Sequence, residues 1–250
     1  MTEESHNPFF RTKRFTPADH KDGIMTANGA AEKSFLLLAI ITIVASIVWW
    51  GAASGVIAPT VVWILVIVGV IASIIIAITL AFKPQWSPAL APTYAILEGG
   101  VLGAISMVFE NMYPGIVIQA IALTLGIALT MLALYRSGII KVTKGFWIGV
   151  MIATAGVMIV SLIAWVLSLF GVSALANSLF GNGPWGIVFS LVVIVIATLN
   201  LCLDFEFIVQ ASKNKFPKYY EWYAAFGLAV TLVWLYLEIL RLLVKLRSND

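Results

Sequence analysis

Charge is what this sequence has least of. Asp, Glu, Lys and Arg make up 11% of its 250 residues against 61% hydrophobic residues. A soluble globular domain is about a quarter charged, so this composition, with a mean hydropathy of +1.01, excludes one. Cysteine is reduced to Cys202, which leaves no disulfide framework and no thiolate metal centre to build. The only histidines are His6 and His20, in the polar N-terminal segment. An intramembrane zinc hydrolase or a Ser–His dyad would therefore lack its base. No Walker motif or dinucleotide glycine pattern occurs, and Ser106 and Ser161 have no evident activating partner. The expectation is a protein that is not an enzyme and holds no resident cofactor.

What is abundant is long apolar runs. Seven stretches, at 34–53, 60–82, 91–109, 115–135, 145–169, 185–209 and 223–243, each reach about the 20 residues that a helix needs to cross roughly 30 Å of hydrocarbon. They lack the alternation of a lipid-facing barrel strand. The fold class expected is all-α: a polytopic membrane bundle of seven transmembrane helices over 34–247, preceded by a cytoplasmic tail at 1–33. A cleaved secretory signal is not expected, because 33 mostly polar residues precede the first run. The short connections favour antiparallel neighbours. Residues 83–92 (KPQWSPALAP) predict a rigid proline turn, 111–115 (NMYPG) a tight turn, and 170–184 a mobile Gly- and Asn-rich link. Residues 213–223 mix lysines with aromatics, as a segment at headgroup level does. Gly99 with Gly103, and Gly145 with Gly149, are small-xxx-small pairs that permit close helix approach.

The net charge of +3 is topology and not a nucleic-acid footprint. Arg11, Lys13, Arg14, Lys21 and Lys33 precede the first stretch. Lys83, then Arg136, Lys141 and Lys144, then Lys213, Lys215 and Lys218 occupy every second connection, and the connections between them carry no Lys or Arg. That alternation is the positive-inside rule, and it places the N-terminus in the cytoplasm of a cell-membrane protein. Arg241, Lys245 and Arg247 break the pattern. Two arrangements accommodate them: the last segment spans against the charge bias, or it re-enters and leaves the C-terminus inside.

The few acids within the apolar stretches carry the functional signal, because a carboxylate at the bilayer centre costs about 2.5–3.5 kcal/mol on insertion scales. By helical rise Glu98 lies about 10 Å from the inner end of its helix and Asp204 about 8 Å from the same side. Glu238 falls near mid-depth if the last helix starts near Gly227. Asp204 shares a face with Asn200, four residues earlier. Thr231, Trp234, Glu238, Arg241 and Lys245 form one polar stripe, in which Arg241 neutralises Glu238 across three residues. Glu206 points to a different face and reads as an acid reaching for the inner interface. Glu110 would sit at an outer mouth. For Glu238 a structural ion pair and a functional role remain open alternatives at this level.

Four segments carry a resemblance. LDFEFIV (203–209) and LYLEILRLL (235–243) are similar to the paired acidic motifs of the Bax inhibitor-1 family; YAILEGGVLGAIS (94–106) and YPGIVIQA (113–120) resemble its bacterial branch. The resemblance covers 34–247. It implies a seven-helix fold with the last helix packed centrally, and a pH-sensitive calcium leak governed by two acids that share a proton. Carried over by motif, those acids are Asp204 and Glu238, the expected sensor and gate, where calcium binds only transiently. The sequence departs from the family in having Glu at the second position, where Asp is more usual, and Arg241 where Asn is common. Lys83 corresponds to a basic residue of the family's second-to-third connection. Two carboxylates in a low-dielectric site titrate as a unit, and a shared proton would join the last two helices. Glu98, Glu110, Glu206 and Asn200 are the further expected contacts of the path. The expected partners are membrane lipid, calcium ions and protons, and no nucleic acid. A second class of function is a membrane interaction protein that regulates a partner such as a membrane-bound protease; a proton-coupled transporter is a third.

Overall fold

A computed structural model describes residues 23–248. The described residues form α1 (Ala27–Ala53), α2 (Pro59–Phe82), α3 (Ser87–Met112), α4 (Ile116–Arg136), α5 (Lys144–Leu169), a short α6 (Ala174–Phe180), α7 (Pro184–Lys213) and α8 (Tyr220–Arg247). All but α6 are long and apolar enough to cross a membrane, which gives seven candidate spans. The helical bundle read from the sequence is therefore the observed architecture.

The ends of the helices follow local chemistry. Thr26 caps α1, its hydroxyl accepting the Gly29 N–H at 3.0 Å, and Thr143 caps α5 through Phe146. The first helix thus begins at Ala27, ahead of the expected residue 34, and Met25 and Ala30 are buried. The expected tail at 1–33 accordingly loses its last part to the packed structure, and its first 22 residues lie outside the described ones. Of the prolines at 83–92, Pro84 opens a single 3₁₀ turn and Pro88 lies in the first turn of α3, where a proline removes only an N–H that had no partner; Pro92 lies inside α3. Gly115 turns the chain between α3 and α4 at φ +83°. The link 170–184 is not an open loop, since it contains α6. The last helix does not start near Gly227: it runs unbroken for 28 residues, about 42 Å by helical rise. That is a spanning length and not a re-entrant one.

The chain divides into two compact units. One is built from residues 23–114 and 207–230, the other from 115–206 and 231–248. In the first, α1 packs on α3 through Gly99 and Gly103: a Cβ on Gly99 would meet Ile41 O and Val44, and one on Gly103 would meet the Ala45 backbone. Tyr94 of α3 stacks edge-on against Phe226 at 4.9 Å, and the Ser87 hydroxyl donates to Tyr219 O at 2.7 Å. Phe216 and Tyr220 form a small core with Met25, Ala30 and Ala211. Within 213–223, Phe216 and Tyr220 are thus buried while Lys213 and Lys215 stay exposed. In the second unit Asn200 of α7 is fastened to α5, its Nδ2 donating to Thr154 Oγ1 at 2.7 Å. Gly145 and Gly149 do not act as a close-packing pair, as nothing lies within 4 Å of a Cβ built on either.

The two glycine pairs therefore separate experimentally. Gly103→Ala forces a side chain against an immovable backbone and should cost about 1–3 kcal/mol. Gly149→Ala meets open space and should leave stability equal or slightly raised, as Ala is about 1 kcal/mol better than Gly in a helix. Thermal unfolding of the detergent-solubilised variants measures both.

Candidate functional site: buried acids of the last two spans

The second unit holds Asp204, Glu206 and Asn200 on α7 and Glu238 and Arg241 on α8. Glu238 is 2% exposed, and its Oε2 accepts from Arg241 Nη1 at 2.7 Å. The i,i+3 pair read from the sequence thus exists. Arg241 is half-exposed, and its guanidinium also lies over the Phe180 ring of α6, 5.7 Å from the centroid. Asp204 lies beside Thr231, whose hydroxyl is within reach of its carboxylate. Two oxygens are left over: Asp204 Oδ2 and Glu238 Oε1 are buried without a hydrogen-bond partner among the described residues.

The proton-sharing contact expected between Asp204 and Glu238 is not present among the described residues. Asp204 faces Thr231, and Glu238 lies seven residues further along α8, about 10 Å by helical rise. The cause is local. The Glu238 side chain turns one oxygen to Arg241, and the Thr231 hydroxyl offers Asp204 a donor on its own level. Two carboxylates that have other donors do not need each other. The acids stand as two separate stations.

The remaining expected residues divide as follows. Glu206 is not simply an acid at the interface: it accepts from the Tyr135 hydroxyl of α4 at 2.7 Å, and Phe205 packs on the same tyrosine ring at 5.8 Å. Asn200 keeps Asp204's face of α7 but spends its amide on Thr154 and on Ile196 O. Glu98 and Lys83 belong to the first unit. Glu98 is buried beside Ser73 of α2. Lys83 stands over the Trp86 ring at 4.5 Å. Glu110, on the last turns of α3, is half-buried.

Two further polar centres have partners that the sequence did not indicate. In the first unit Glu221, 1% exposed, accepts on Oε1 from Thr26 N–H and Thr26 Oγ1, both at 3.0 Å, and from Lys218 Nζ at 2.9 Å. Gly29 leaves room for that carboxylate, since a Cβ there would collide with it. Met25 N–H donates to Phe216 O at 2.7 Å, and Lys218 N–H to Gly23 O at 3.0 Å. The root of α1 is thereby clasped to the connection before α8. In the second unit Lys245, 1% exposed, donates to Leu179 O, Gly186 O and Ser190 Oγ.

These features define a seven-span helical membrane protein whose last two spans carry buried, incompletely partnered acids. The chain belongs to the Bax inhibitor 1 like family, whose model matches residues 7–248. No curated protein and no solved structure matches it.

Removing the clasp's acceptor has a measurable cost. Glu221→Ala removes the acceptor of the Thr26 N–H and hydroxyl, at about 0.5–1.5 kcal/mol; Glu221→Gln keeps an oxygen and should lose less. Thermal stability and the rate of proteolysis near residues 23–26 should rank native, Gln and Ala in that order.

Proposed function

We propose that the protein is a proton-regulated cation leak of the cell membrane, with calcium among the ions it passes. The observation that supports this most directly is the pair of buried carboxylate oxygens without partners, Asp204 Oδ2 and Glu238 Oε1. In a low-dielectric interior such an oxygen is completed by a proton or by a cation. A carboxylate, with a neighbouring hydroxyl such as that of Thr231, is the hard-oxygen donor type that calcium takes. Protonation fills the stations and excludes the cation; loss of the proton opens them. Asp204 and Glu238 are thus the sensor and gate, acting in sequence along α8 and not through one shared proton. The N-terminus lies in the cytoplasm in this reading, which the basic residues of alternate connections support.

A partner-regulating role, for instance on a membrane-bound protease, is a second reading. It draws on the clasp of Thr26, Glu221 and Lys218, through which a partner held by the N-terminal tail would reach the membrane helices. Deleting residues 1–22 separates the two: a leak survives that deletion and a partner-binding function does not.

The test is calcium influx into dye-loaded proteoliposomes stepped across roughly pH 5–8, for the native chain and Asp204→Asn. Asparagine is permanently neutral and mimics the protonated acid. The variant should therefore conduct at every pH as the native chain does at the acid end, with its pH profile flattened. A change of about fivefold or more is expected, equivalent to about 1 kcal/mol in the gate. Native flux with an identical profile in the variant would remove Asp204 from the mechanism. Flux no greater than that of empty liposomes would remove the leak.

A further inference from the structure

Three basic residues at the end of α8, Arg241, Lys245 and Arg247, lie where the positive-inside rule expects none. Lys245 is the most unusual of them. Its side chain is among the largest fully buried ones in the protein, although lysine is almost never buried without paired or hydrogen-bonded company. Its company is the α6–α7 link. Nζ donates to Leu179 O at 3.2 Å, to Gly186 O at 2.8 Å and to Ser190 Oγ at 2.9 Å. Leu179 lies near the end of α6, and Gly186 and Ser190 lie in the first turns of α7. One ammonium therefore ties together the end of one helix, the start of the next and the end of α8.

The surroundings of the ammonium are shaped to it. Gly186 has no side chain, and a Cβ there would run into Gly181 O and stand 3.4 Å from Lys245 Nζ. Ser190 is fully buried, so its hydroxyl has been taken out of solvent to serve this contact. Leu179 O, near the C-terminus of α6, is a natural acceptor for a cation because a carbonyl there lacks an intrahelical partner; Gly186 O, in the first turn of α7, is the closer acceptor at 2.8 Å.

A second link reaches α6 one helical turn earlier on α8. Arg241 places its guanidinium over Phe180 while bonding Glu238, and Phe180 in turn packs edge-on against Phe189 of α7 at 5.9 Å. Arg241 thus binds the acid with one side of its guanidinium system and covers the aromatic of α6 with its face. The short helix is held at the Glu238 end of α8 by two cations, one fixed to carbonyls and one shared with the acid itself.

We propose that α6 is a lid over the Glu238 end of the path and that Lys245 is the residue that pins it shut. The consequence for flux rests on the leak reading above; the pinning itself does not. In this role Lys245 is a positioning residue that acts through the link 174–190 and touches no ion. Unpinning frees α6 to move with Arg241 and uncovers Glu238.

The experiment reads the lid and the flux separately. Hydrogen exchange is measured on the full chain in lipid nanodiscs for the native protein, Lys245→Met and Ser190→Ala, and calcium influx is measured on the same three in proteoliposomes. Methionine keeps the length and apolar stem of lysine while removing the donor. Exchange across residues 174–190 should rise about tenfold or more in Lys245→Met, equivalent to about 1.4 kcal/mol of opening energy. Exchange in α5 should stay at the native rate, and flux should rise. Ser190→Ala removes a single acceptor and should move both readouts the same way by less. It also keeps the proposal testable if Lys245→Met does not fold. Native exchange across 174–190 in both variants would overturn the pin. Faster exchange with unchanged flux, in liposomes where the native chain leaks, would overturn the lid. If the native chain shows no flux at all, the leak reading falls, and the exchange result alone decides whether Lys245 pins α6.

Discussion

Hydrocarbon offers no hydrogen-bond partner, and each polar group placed in it must find one within the protein or pay several kcal/mol. The backbone meets that demand by being helical almost throughout. Side chains meet it by bonding back onto their own helices: Ser34 donates to Ala30 O, Thr42 to Leu38 O, Thr124 to Ala120 O and Thr198 to Ile194 O. Such i−4 bonds make a polar residue nearly invisible to lipid and require nothing from a neighbour. Against that background an acid that leaves one oxygen unanswered is conspicuous. Asp204 and Glu238 both do so, in helices where so many hydroxyls have been satisfied locally.

The ends of the spans show the same constraint solved with charge. Glu221 receives the N–H and hydroxyl of Thr26 at the start of α1, where a helix presents donors and the positive end of its dipole. Lys245 gives its protons to a carbonyl at the end of α6, where acceptors are in surplus, and to Gly186 O and Ser190 Oγ in the first turns of α7. In both cases a buried charge is neutralised by backbone as well as by side chains. Backbone partners cannot swing away to other rotamers, so the bonds fix the position of a helix end more firmly than a surface ion pair would. A surface pair is worth about 0–1 kcal/mol and is easily broken. Each unit therefore carries one helix end that is held and not merely packed.

How far the sequence discloses this depends on whether a contact lies within one helix or between two. The spans were legible because length and hydropathy determine them one at a time. The Arg241–Glu238 pair was legible because i,i+3 spacing is a property of a single helix. The Thr26 partner of Glu221, and the partners of Glu206 and Lys245, were not, since they lie 195, 71 and 55 or more residues away. No periodicity encodes which faces of two helices meet, or at what height. The two glycine pairs make the same point. Gly99–Gly103 and Gly145–Gly149 are identical as patterns, yet the first pair receives a backbone and the second does not. The start of α1 was misplaced for a different reason: Thr26, a good N-cap, stands ahead of polar residues that a hydropathy reading assigns to the tail. The separation of Asp204 from Glu238 was hidden because it follows from the helix register that brings Thr231, and not Glu238, beside Asp204.

That separation bears on how a leak would work. A tight calcium site surrounds the ion with 6–8 oxygens and releases it slowly, whereas conduction needs sites strong enough to admit an ion and weak enough to let it go. Two acids on separate levels, each offering one free oxygen, fit the second requirement better than a pair converging on one ion. Arg241 weakens the Glu238 station further by occupying Glu238 Oε2, and it supplies a positive charge that disfavours a resident divalent cation. The glutamate and the arginine in place of the more usual residues then have a common effect. The longer acid reaches its own cation, so Glu238 has an ion-pair partner on its own helix. In the proposed leak the two stations therefore differ in company: Asp204 has a hydroxyl for a neighbour, and Glu238 has the guanidinium of Arg241.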